Sequence, residues 1–184
     1  MNYDPAKHHR RSIRLPGYDY TRSGYYFVTI CCYQRQCLFG DIVNGAMQLN
    51  QFGEIVQKEW LRSSIIRQEI ELNEFVVMPN HFHGIVIINP VGAFDRTPLP
   101  QSNKPIIPSM KPKSLSSLMA GFKSSVTKQI NLIRNTARAK VWQRNYYEHI
   151  IRNEKALNNI QQYIINNPLS WQKDQLHPNN PSKW

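Results

Sequence analysis

Hydrophobic and polar residues alternate along this chain in patterns that predict strands and helices in turn. Residues 24–33, GYYFVTICCY, are β-branched and aromatic, which is typical of a buried strand. Residues 41–50 place Asn44 and Gly45 between two short apolar runs, the composition that a tight hairpin turn prefers. From residue 51 to about residue 67, apolar residues recur at helical spacing and predict an amphipathic helix: Phe52, Ile55, Val56, Trp60, Leu61 and Ile65.

The rest of the chain repeats this change from strand to helix. ELNEFVVM and HFHGIVII predict two strands, and Pro79 separates them because proline lacks the N–H that strand pairing needs. Residues 141–151 predict a short extended segment, and a last helix over residues 153–167 is stopped by Pro168. Another helix, predicted to begin at about Ser114 as its cap, precedes these two segments in the chain. Its predicted buried stripe is Leu115, Leu118, Met119, Phe122, Val126, Ile130 and Ile133.

This order of elements predicts the fold class and the extent of the domain. Strand, hairpin, helix, two strands, helix, strand and helix suit an α+β sandwich, in which an antiparallel sheet carries helices on one face. We expect a basic arm over residues 1–23, one domain over residues 24–171 and a tail over residues 172–184. Within the domain, residues 89–113 are rich in proline and predict a flexible loop.

Charge indicates a class of partner. The formal net charge is +11, an excess that attracts polyanions and is typical of nucleic-acid binding. The excess is uneven, because no acidic residue lies between Asp95 and Glu148 while basic residues recur there. A solvated basic face is the alternative interpretation, and charge alone does not distinguish DNA from RNA or from an anionic membrane surface.

Apolar runs and cysteines bear on where the protein is located and on whether it has disulfides. No apolar run reaches the roughly 18 residues that a membrane helix needs, and the N-terminal MNYDPAKHHRRSIR lacks the apolar segment of a secretory signal, so we expect a cytoplasmic protein. Cys31, Cys32 and Cys37 are crowded and odd in number, and they lack paired CxxC spacing. They predict neither a disulfide nor a zinc site.

Candidate chemistry begins with PNHFHGIVII, residues 79–88, which places two histidines in an otherwise apolar strand. Residues i and i+2 of a strand project from one face about 7 Å apart, so His81 and His83 can hold one metal ion while Phe82 packs behind them. Two protein ligands leave open positions on the ion, which is the pattern of a catalytic site. The alternative is a satisfied pair at a sheet edge. Burial favours the metal, because buried imidazoles need partners.

The last helix offers a nucleophile. Tyr163 falls at the edge of its apolar stripe, and Asn167 follows one turn later on the same flank. A phenol is a poor nucleophile near neutral pH unless its target is polarised, and a divalent ion held by two histidines can polarise a phosphodiester for in-line attack. The product would be a phosphotyrosine, which stores the bond energy for rejoining. The alternative for Tyr163 is a surface side chain with its hydroxyl in water.

The same residues carry a family resemblance. VVMPNHFHGIVII, the basic helix SLSSLMAGFKSSVTKQIN and VWQRNYYEHIIRNEKALNNIQQYIINNP resemble the IS200-type single-tyrosine HUH transposases, particularly the REP-associated tyrosine transposase branch. The likeness runs from YDPAKHHRRSIRLPGYDY through YYFVTIC to the end of the last helix, which is nearly the whole chain. It implies a ferredoxin-like fold, a Mg or Mn ion, and cleavage of single-stranded DNA with a 5′-phosphotyrosine link.

Carried over residue by residue, the resemblance assigns individual roles. His81 and His83 match the HUH histidines, Phe82 matches the apolar residue between them, and Tyr163 matches the nucleophile. Asn167 stands where IS200-type enzymes place a glutamine metal ligand, and the shorter amide would reach the ion through water. REP-associated enzymes act on hairpin-forming repeats, so we expect hairpin recognition in the arm and the proline-rich loop. Relatives include dimers that exchange the tyrosine helix, so monomer and homodimer both stay open.

Binding of single-stranded DNA needs a cationic track and flat surfaces for the bases. Tyr146 and Tyr147 compete with Tyr163 as the nucleophile, but their predicted strand favours packing or base stacking. Glu148 and His149 offer further metal or proton-transfer groups, with a salt bridge at the strand end as the alternative. The predicted phosphate contacts are Lys7, Arg10, Arg11, Arg14, Lys123, Lys128, Arg144 and Arg152.

Three functions fit these residues. The leading hypothesis is a metal-dependent DNA strand transferase with a tyrosine nucleophile, which would form a covalent adduct with DNA. The second is a domesticated, non-catalytic nucleic-acid-binding protein, which would bind in a salt-dependent manner without cleavage. The third is a metal-dependent phosphodiesterase that uses water, which would cleave DNA without an adduct.

Overall fold

The computed structural model describes residues 18–89 and 111–180. The predicted arm up to residue 17, most of the proline-rich loop and residues 181–184 lie outside the described residues. In chain order, the helices and strands are β1 (Gly24–Cys31), β2 (Gly40–Val43), β3 (Ala46–Leu49), α1 (Gln51–Ile66), β4 (Ile70–Met78), β5 (His81–Ile88), α2 (Leu115–Ile133), β6 (Tyr147–Ile151) and α3 (Glu154–Asn166).

The main sheet has the spatial order β4-β5-β1-β6, and each neighbouring pair of strands is antiparallel. Leaving aside the separate β2-β3 hairpin and the last helix, α3, this is the ferredoxin-like βαββαβ arrangement. The predicted α+β class is confirmed. α1 and α2 pack together on one face of the sheet, as predicted, whereas α3 lies on the other face. This difference arises because Phe27 and Ile85 give the second face its own apolar patch, which Leu157, Ile160 and Ile164 of α3 cover.

Local chemistry explains where the predicted elements begin and turn. Asn44 and Gly45 adopt positive φ values of 51° and 77°, as the hairpin turn between β2 and β3 requires. The side-chain oxygen of Asn50 accepts hydrogen bonds from the first turn of α1. Ser114 caps α2 through a capping box, and the side chain of Asn153 caps α3. Pro168 follows α3 and begins a 3₁₀ segment, Pro168–Lys173.

Alternation along the central strands divides their side chains between two environments. The face toward α1 and α2 carries the main core, in which Phe82 contacts Trp60 and Phe122 with ring centroids 4.7 and 5.5 Å away. Gly84 makes room for this packing, because a Cβ there would lie 2.8 Å from the Trp60 ring. The opposite face carries His81 and His83 beside α3. Core and candidate site therefore share one strand.

Two further predictions concern the cysteines and the membrane. Cys31, Cys32 and Cys37 are free thiols in the structure. Cys32 is buried in the main core, while Cys31 lies on the opposite face of the sheet. Among the helices of the described residues, none has both the length and the apolar character that crossing a membrane requires.

Candidate active site

His81 and His83 lie side by side on the α3 face, at the end of the sheet where β1 finishes and β5 begins. Cys31 is the partner of His81 across the strands, and Thr29 is the partner of His83. The two imidazole rings have centroids 4.5 Å apart, and both side chains are buried. The predicted convergence of the pair on one face is present in the structure.

Hydrogen bonds hold one nitrogen of each imidazole and direct the other into the site. His83 Nδ1 lies 2.7 Å from Thr29 Oγ1, and its ring stacks on Phe27. His81 Nδ1 lies 2.8 Å from Asn80 Oδ1. His81 Nε2 is buried without a hydrogen-bond partner. Such support of the second ring nitrogen is usual for metal-binding histidines, because it fixes the tautomer and the ring orientation.

Asp174 completes a group of three possible metal ligands. Its Oδ2 lies 3.9 Å from His81 Nε2, and one ligand atom from each of His81, His83 and Asp174 lies within 4.8 Å of the other two. The carboxylate is fixed because its Oδ1 accepts the N–H of Leu176 at 2.6 Å. The sequence had placed Asp174 in a tail. The available signal was Trp171, a large apolar residue directly before that tail, which is buried against His81.

Asn167 lies beside this group at the end of α3, where the sequence placed it. It is 1% exposed, and its Oδ1 is buried without a hydrogen-bond partner. His81 Nε2 and Asn167 Oδ1 are thus two buried polar atoms of one site that make no hydrogen bond of ordinary geometry, which is costly unless a ligand satisfies them. Imidazole, carboxylate and amide oxygen together suit a divalent cation. The residues present fit a metal ion.

Burial sets the protonation of the site. It lowers the pKa of His81 to about 3, against an opposing contribution from the Asn167 amide. Burial, together with the neighbouring His81, lowers the pKa of His83 well below its ordinary value. Both imidazoles are therefore neutral near neutral pH, which is the form that binds metals.

Tyr163 projects from α3 onto this pair. Its hydroxyl lies 3.2 Å from His83 Nε2, and its ring packs edge-on against Phe27. Burial and the charge of Asp174 raise the pKa of the hydroxyl to about 12, although the Asn167 amide opposes this. Burial also raises the pKa of Cys31, a nearby thiol, to about 11, so Cys31 is not a thiolate near neutral pH.

A cleft of about 760 Å³ opens beside the Tyr163 hydroxyl. One side of it is a single face of α3, from which Asn159, Gln162 and Asn166 surround Tyr163. The remaining lining combines aromatic rings, amides and two cations: Phe27, Tyr146, Tyr147, Gln143, Asn145, Gln175, Arg35 and Lys173, together with Thr29, Cys31, His83, Asn167, Ser170, Asp174 and Leu176. Tyr146 and Tyr147 thus lie in the cleft wall, while Tyr163 is the tyrosine whose hydroxyl contacts His83.

The basic residues that the sequence singled out are distributed differently. The ammonium of Lys123 donates to the carbonyls of Gln143, Arg144 and Asn145, at 2.6, 3.1 and 3.2 Å, and burial lowers its pKa to about 8. Lys128, Arg144 and Arg152 do not line the cleft. Arg152 follows β6 at the end of the sheet opposite His81, because Ile151 pairs with Tyr25.

The remaining four predicted phosphate contacts, Lys7, Arg10, Arg11 and Arg14, lie outside the described residues. The cations in the cleft wall are instead Arg35, which follows β1, and Lys173, which follows α3. Neither residue stands in a basic run of the sequence. The order of strands and helices alone did not indicate that both would line the same cleft.

Comparisons with known proteins agree with this architecture. A solved REP-associated tyrosine transposase bound to a REP hairpin superposes with a TM-score of 0.56 at 19% identity, over 93% of this chain and 90% of that one. A Haemophilus influenzae protein described as uncharacterized is 43% identical over 176 residues, which are 95% of this chain and 97% of the relative. No protein-family model matches the sequence.

The fold is therefore that of the REP-associated tyrosine transposases, as the motifs predicted. The chain belongs to one family with the Haemophilus influenzae protein, and this family has the IS200/REP transposase-like fold.

Proposed function

We propose that this protein is a metal-dependent transposase or endonuclease that cleaves and rejoins single-stranded DNA through a 5′-phosphotyrosine intermediate at Tyr163. The observation that carries the proposal is the 3.2 Å contact between the Tyr163 hydroxyl and His83, beside two buried polar atoms that make no hydrogen bond of ordinary geometry. The solved neighbour with this fold is a transposase bound to a REP hairpin, which supports hairpin-forming single strands as the substrate.

His81, His83 and Asp174 would hold the ion, Mg²⁺ or Mn²⁺, with the Asn167 amide oxygen as a further ligand or a contact to its water. When bound, the ion supplies Lewis-acid polarisation of the phosphodiester. The geometric support is that one ligand atom each of the two histidines and Asp174 lie within 4.8 Å of one another. Asp174 is added here to the ligands that the sequence suggested.

The chain's own contribution is a positioned nucleophile. Tyr163 Oη would attack the phosphorus, so that a bond from Oη to phosphorus forms while the bond from phosphorus to the 3′ oxygen breaks. The phenolic proton leaves to water and the 3′ oxygen takes up a proton, so the step consumes none overall. Because one phosphodiester replaces another, the 3′ hydroxyl can reverse the reaction without an external energy source.

The cleft supports the assignment of the substrate. Tyr146 and Tyr147, which are partly exposed, present aromatic rings for stacking, and amide side chains of α3 surround the nucleophile. Aromatic surfaces and polar side chains of this kind suit unpaired bases rather than a stacked duplex. Tyr163 contacts His83 of the same chain, which supports a site that a monomer can assemble without exchange of α3.

The test uses labelled, hairpin-bearing single-stranded DNA from the flanks of the gene, incubated with Mg²⁺ or Mn²⁺ and resolved under denaturing conditions. We expect a covalent protein–DNA adduct, and Tyr163→Phe should reduce it by roughly a thousandfold or more because the nucleophilic oxygen is lost. Tyr25→Phe is the matched control. Tyr25 lies at the opposite end of β1, so its loss should leave the adduct unchanged.

Each other outcome contradicts the proposal in a different way. An adduct that persists in Tyr163→Phe would move the nucleophile to another residue. Cleavage without an adduct would make the protein a phosphodiesterase that uses water. Salt-dependent binding without cleavage, with either metal, would make it a non-catalytic nucleic-acid-binding protein.

A further inference from the structure

Asn80 occupies the turn between β4 and β5, directly before His81, and is 1% exposed. Its amide nitrogen donates to the carbonyl oxygens of Arg35 and Leu176, at 3.2 and 2.8 Å. Its amide oxygen lies 2.8 Å from His81 Nδ1. One buried side chain thus joins the segment after β1, the segment after α3 and a candidate metal ligand.

The two carbonyl partners fix the orientation of this amide. Carbonyl oxygens only accept hydrogen bonds, so they must face the NH₂ group of Asn80, and the amide oxygen must face His81. That oxygen is also only an acceptor, so His81 Nδ1 must carry the hydrogen. The lone pair of the ring is then on Nε2, the buried atom without a partner that lies 3.9 Å from Asp174 Oδ2.

The Asn80 side chain is also linked to Asp174, the third candidate ligand, through the backbone of Leu176. Leu176 accepts the Asn80 amide at its carbonyl, and its N–H donates to Asp174 Oδ1 at 2.6 Å. With Oδ1 held in this way, Oδ2 is the oxygen that faces His81. Asn80 therefore acts on His81 directly and on Asp174 through Leu176.

We infer that Asn80 is a positioning residue for metal binding, which fixes the tautomer of His81 and anchors the turn that carries Asp174. The inference rests on the proposed metal site, but it does not depend on DNA cleavage. Partners that hold the second nitrogen of a metal-binding histidine typically contribute 10- to 100-fold in affinity.

The first test is a spectrum of the full chain, free of metal and DNA, with ¹⁵N-labelled histidine rings. The His81 signals are assigned by comparison with His81→Gln. We expect a protonated, pyrrole-like Nδ1 and an unprotonated, pyridine-like Nε2. The reverse pattern in the unsubstituted protein would overturn the inference without any variant.

The second test compares variants by Mn²⁺ titration calorimetry. Asn80→Ala should mix the two tautomers of His81 and weaken Mn²⁺ binding about 10- to 100-fold. An unchanged tautomer with unchanged affinity contradicts the inference. Asn131→Ala is the matched control, since it removes one asparagine-to-carbonyl hydrogen bond, to Ala139 at 2.9 Å, away from the site. It should change neither quantity.

Asn80→Asp separates the two roles of Asn80, which are to fix the tautomer of His81 and to anchor the turn that carries Asp174. It also replaces Asn80→Ala as the test if that variant does not fold. Its carboxylate still accepts from His81 Nδ1, so the pyrrole-like signal should persist. It cannot donate to the Leu176 carbonyl, so the Leu176 amide should exchange with solvent faster than in the unsubstituted chain. Slow exchange, or loss of the tautomer, contradicts the assigned roles. A protein that passes these tests but forms no DNA adduct contradicts the proposed function alone.

Discussion

The two faces of the main sheet are built from the same strands, but different helices cover them. α2 has 19 residues, and six of them are buried against the core face: Leu115, Leu118, Met119, Phe122, Val126 and Ile130. α3 has 13 residues, of which Ile164 alone is buried on the site face. The core face is closed by large side chains, while the site face leaves His83 and Tyr163 at an open cleft.

This difference places stability and chemistry on opposite sides of β5. A change at Phe82 disturbs packing among aromatic rings, whereas a change at His83, one residue later, disturbs hydrogen bonds and a candidate metal ligand. Because neighbouring strand residues face opposite ways, substitutions at adjacent positions should have separable effects. The predictions below test that separation.

The largest effect on folding is expected from Phe82→Ala. The ring packs against Trp60 and Phe122, so its loss should lower the free energy of unfolding by about 3–5 kcal/mol. His83→Ala should cost about 1–2 kcal/mol, because the half-exposed Tyr163 side chain can turn its hydroxyl to water and mainly the Thr29 hydroxyl loses a buried partner. Mn²⁺ affinity should fall more in His83→Ala than in Phe82→Ala, because His83 is the candidate metal ligand. Urea denaturation in EDTA and Mn²⁺ titration measure the two quantities, and equal effects at both positions would contradict the separation.

A somewhat smaller effect is expected from pH, and it should come from the site face. The unfolded chain takes up protons on His81 and His83 near pH 6.5, whereas the folded chain keeps His81 neutral down to about pH 3 and holds the pKa of His83 well below its ordinary value. The unfolded state therefore binds more protons below pH 6.5, and stability is full above that pH and falls as the solution is acidified.

Between pH 6.5 and 5 the loss from His81 should be on the order of 1–2 kcal/mol, and His83 should add to it in the same direction. Urea midpoints in EDTA measure it. The double variant His81→Phe, His83→Phe should lose most of this slope, and a slope that stays the same would assign it to other groups.

Sequence patterns predicted the fold and the centre of the site because both depend on local order. Strand alternation placed His81 and His83 on one face, and helical spacing placed Tyr163 and Asn167 one turn apart, as the structure has them. Ser114 caps α2 where the pattern located a cap, and α3 begins directly after Asn153, within one residue of its predicted start. Such features follow from the periods of strands and helices, which a single sequence reveals.

The remaining parts of the site depend on contacts between distant segments. Asp174 reaches His81 only because residues after α3 fold back over the end of the sheet, a path that no period in the sequence indicates. Lys123 was predicted to bind phosphate from its place in a basic helix, yet its ammonium donates to three backbone carbonyls. Charge along a sequence does not reveal which cations a fold uses internally.

The smallest effect expected is on DNA affinity. It decides which face of the main sheet the bound DNA follows. Lys173 lies in the wall of the cleft on the site face, and Lys128 lies exposed on α2 of the core face. Lys173→Gln should lower the slope of log affinity against log salt by about 0.7 for single-stranded DNA, since one phosphate contact is lost. Lys128→Gln should leave the slope unchanged. Fluorescence anisotropy over a range of salt concentrations measures both. The reverse result would place the DNA along α2, where the basic run of the sequence had predicted it.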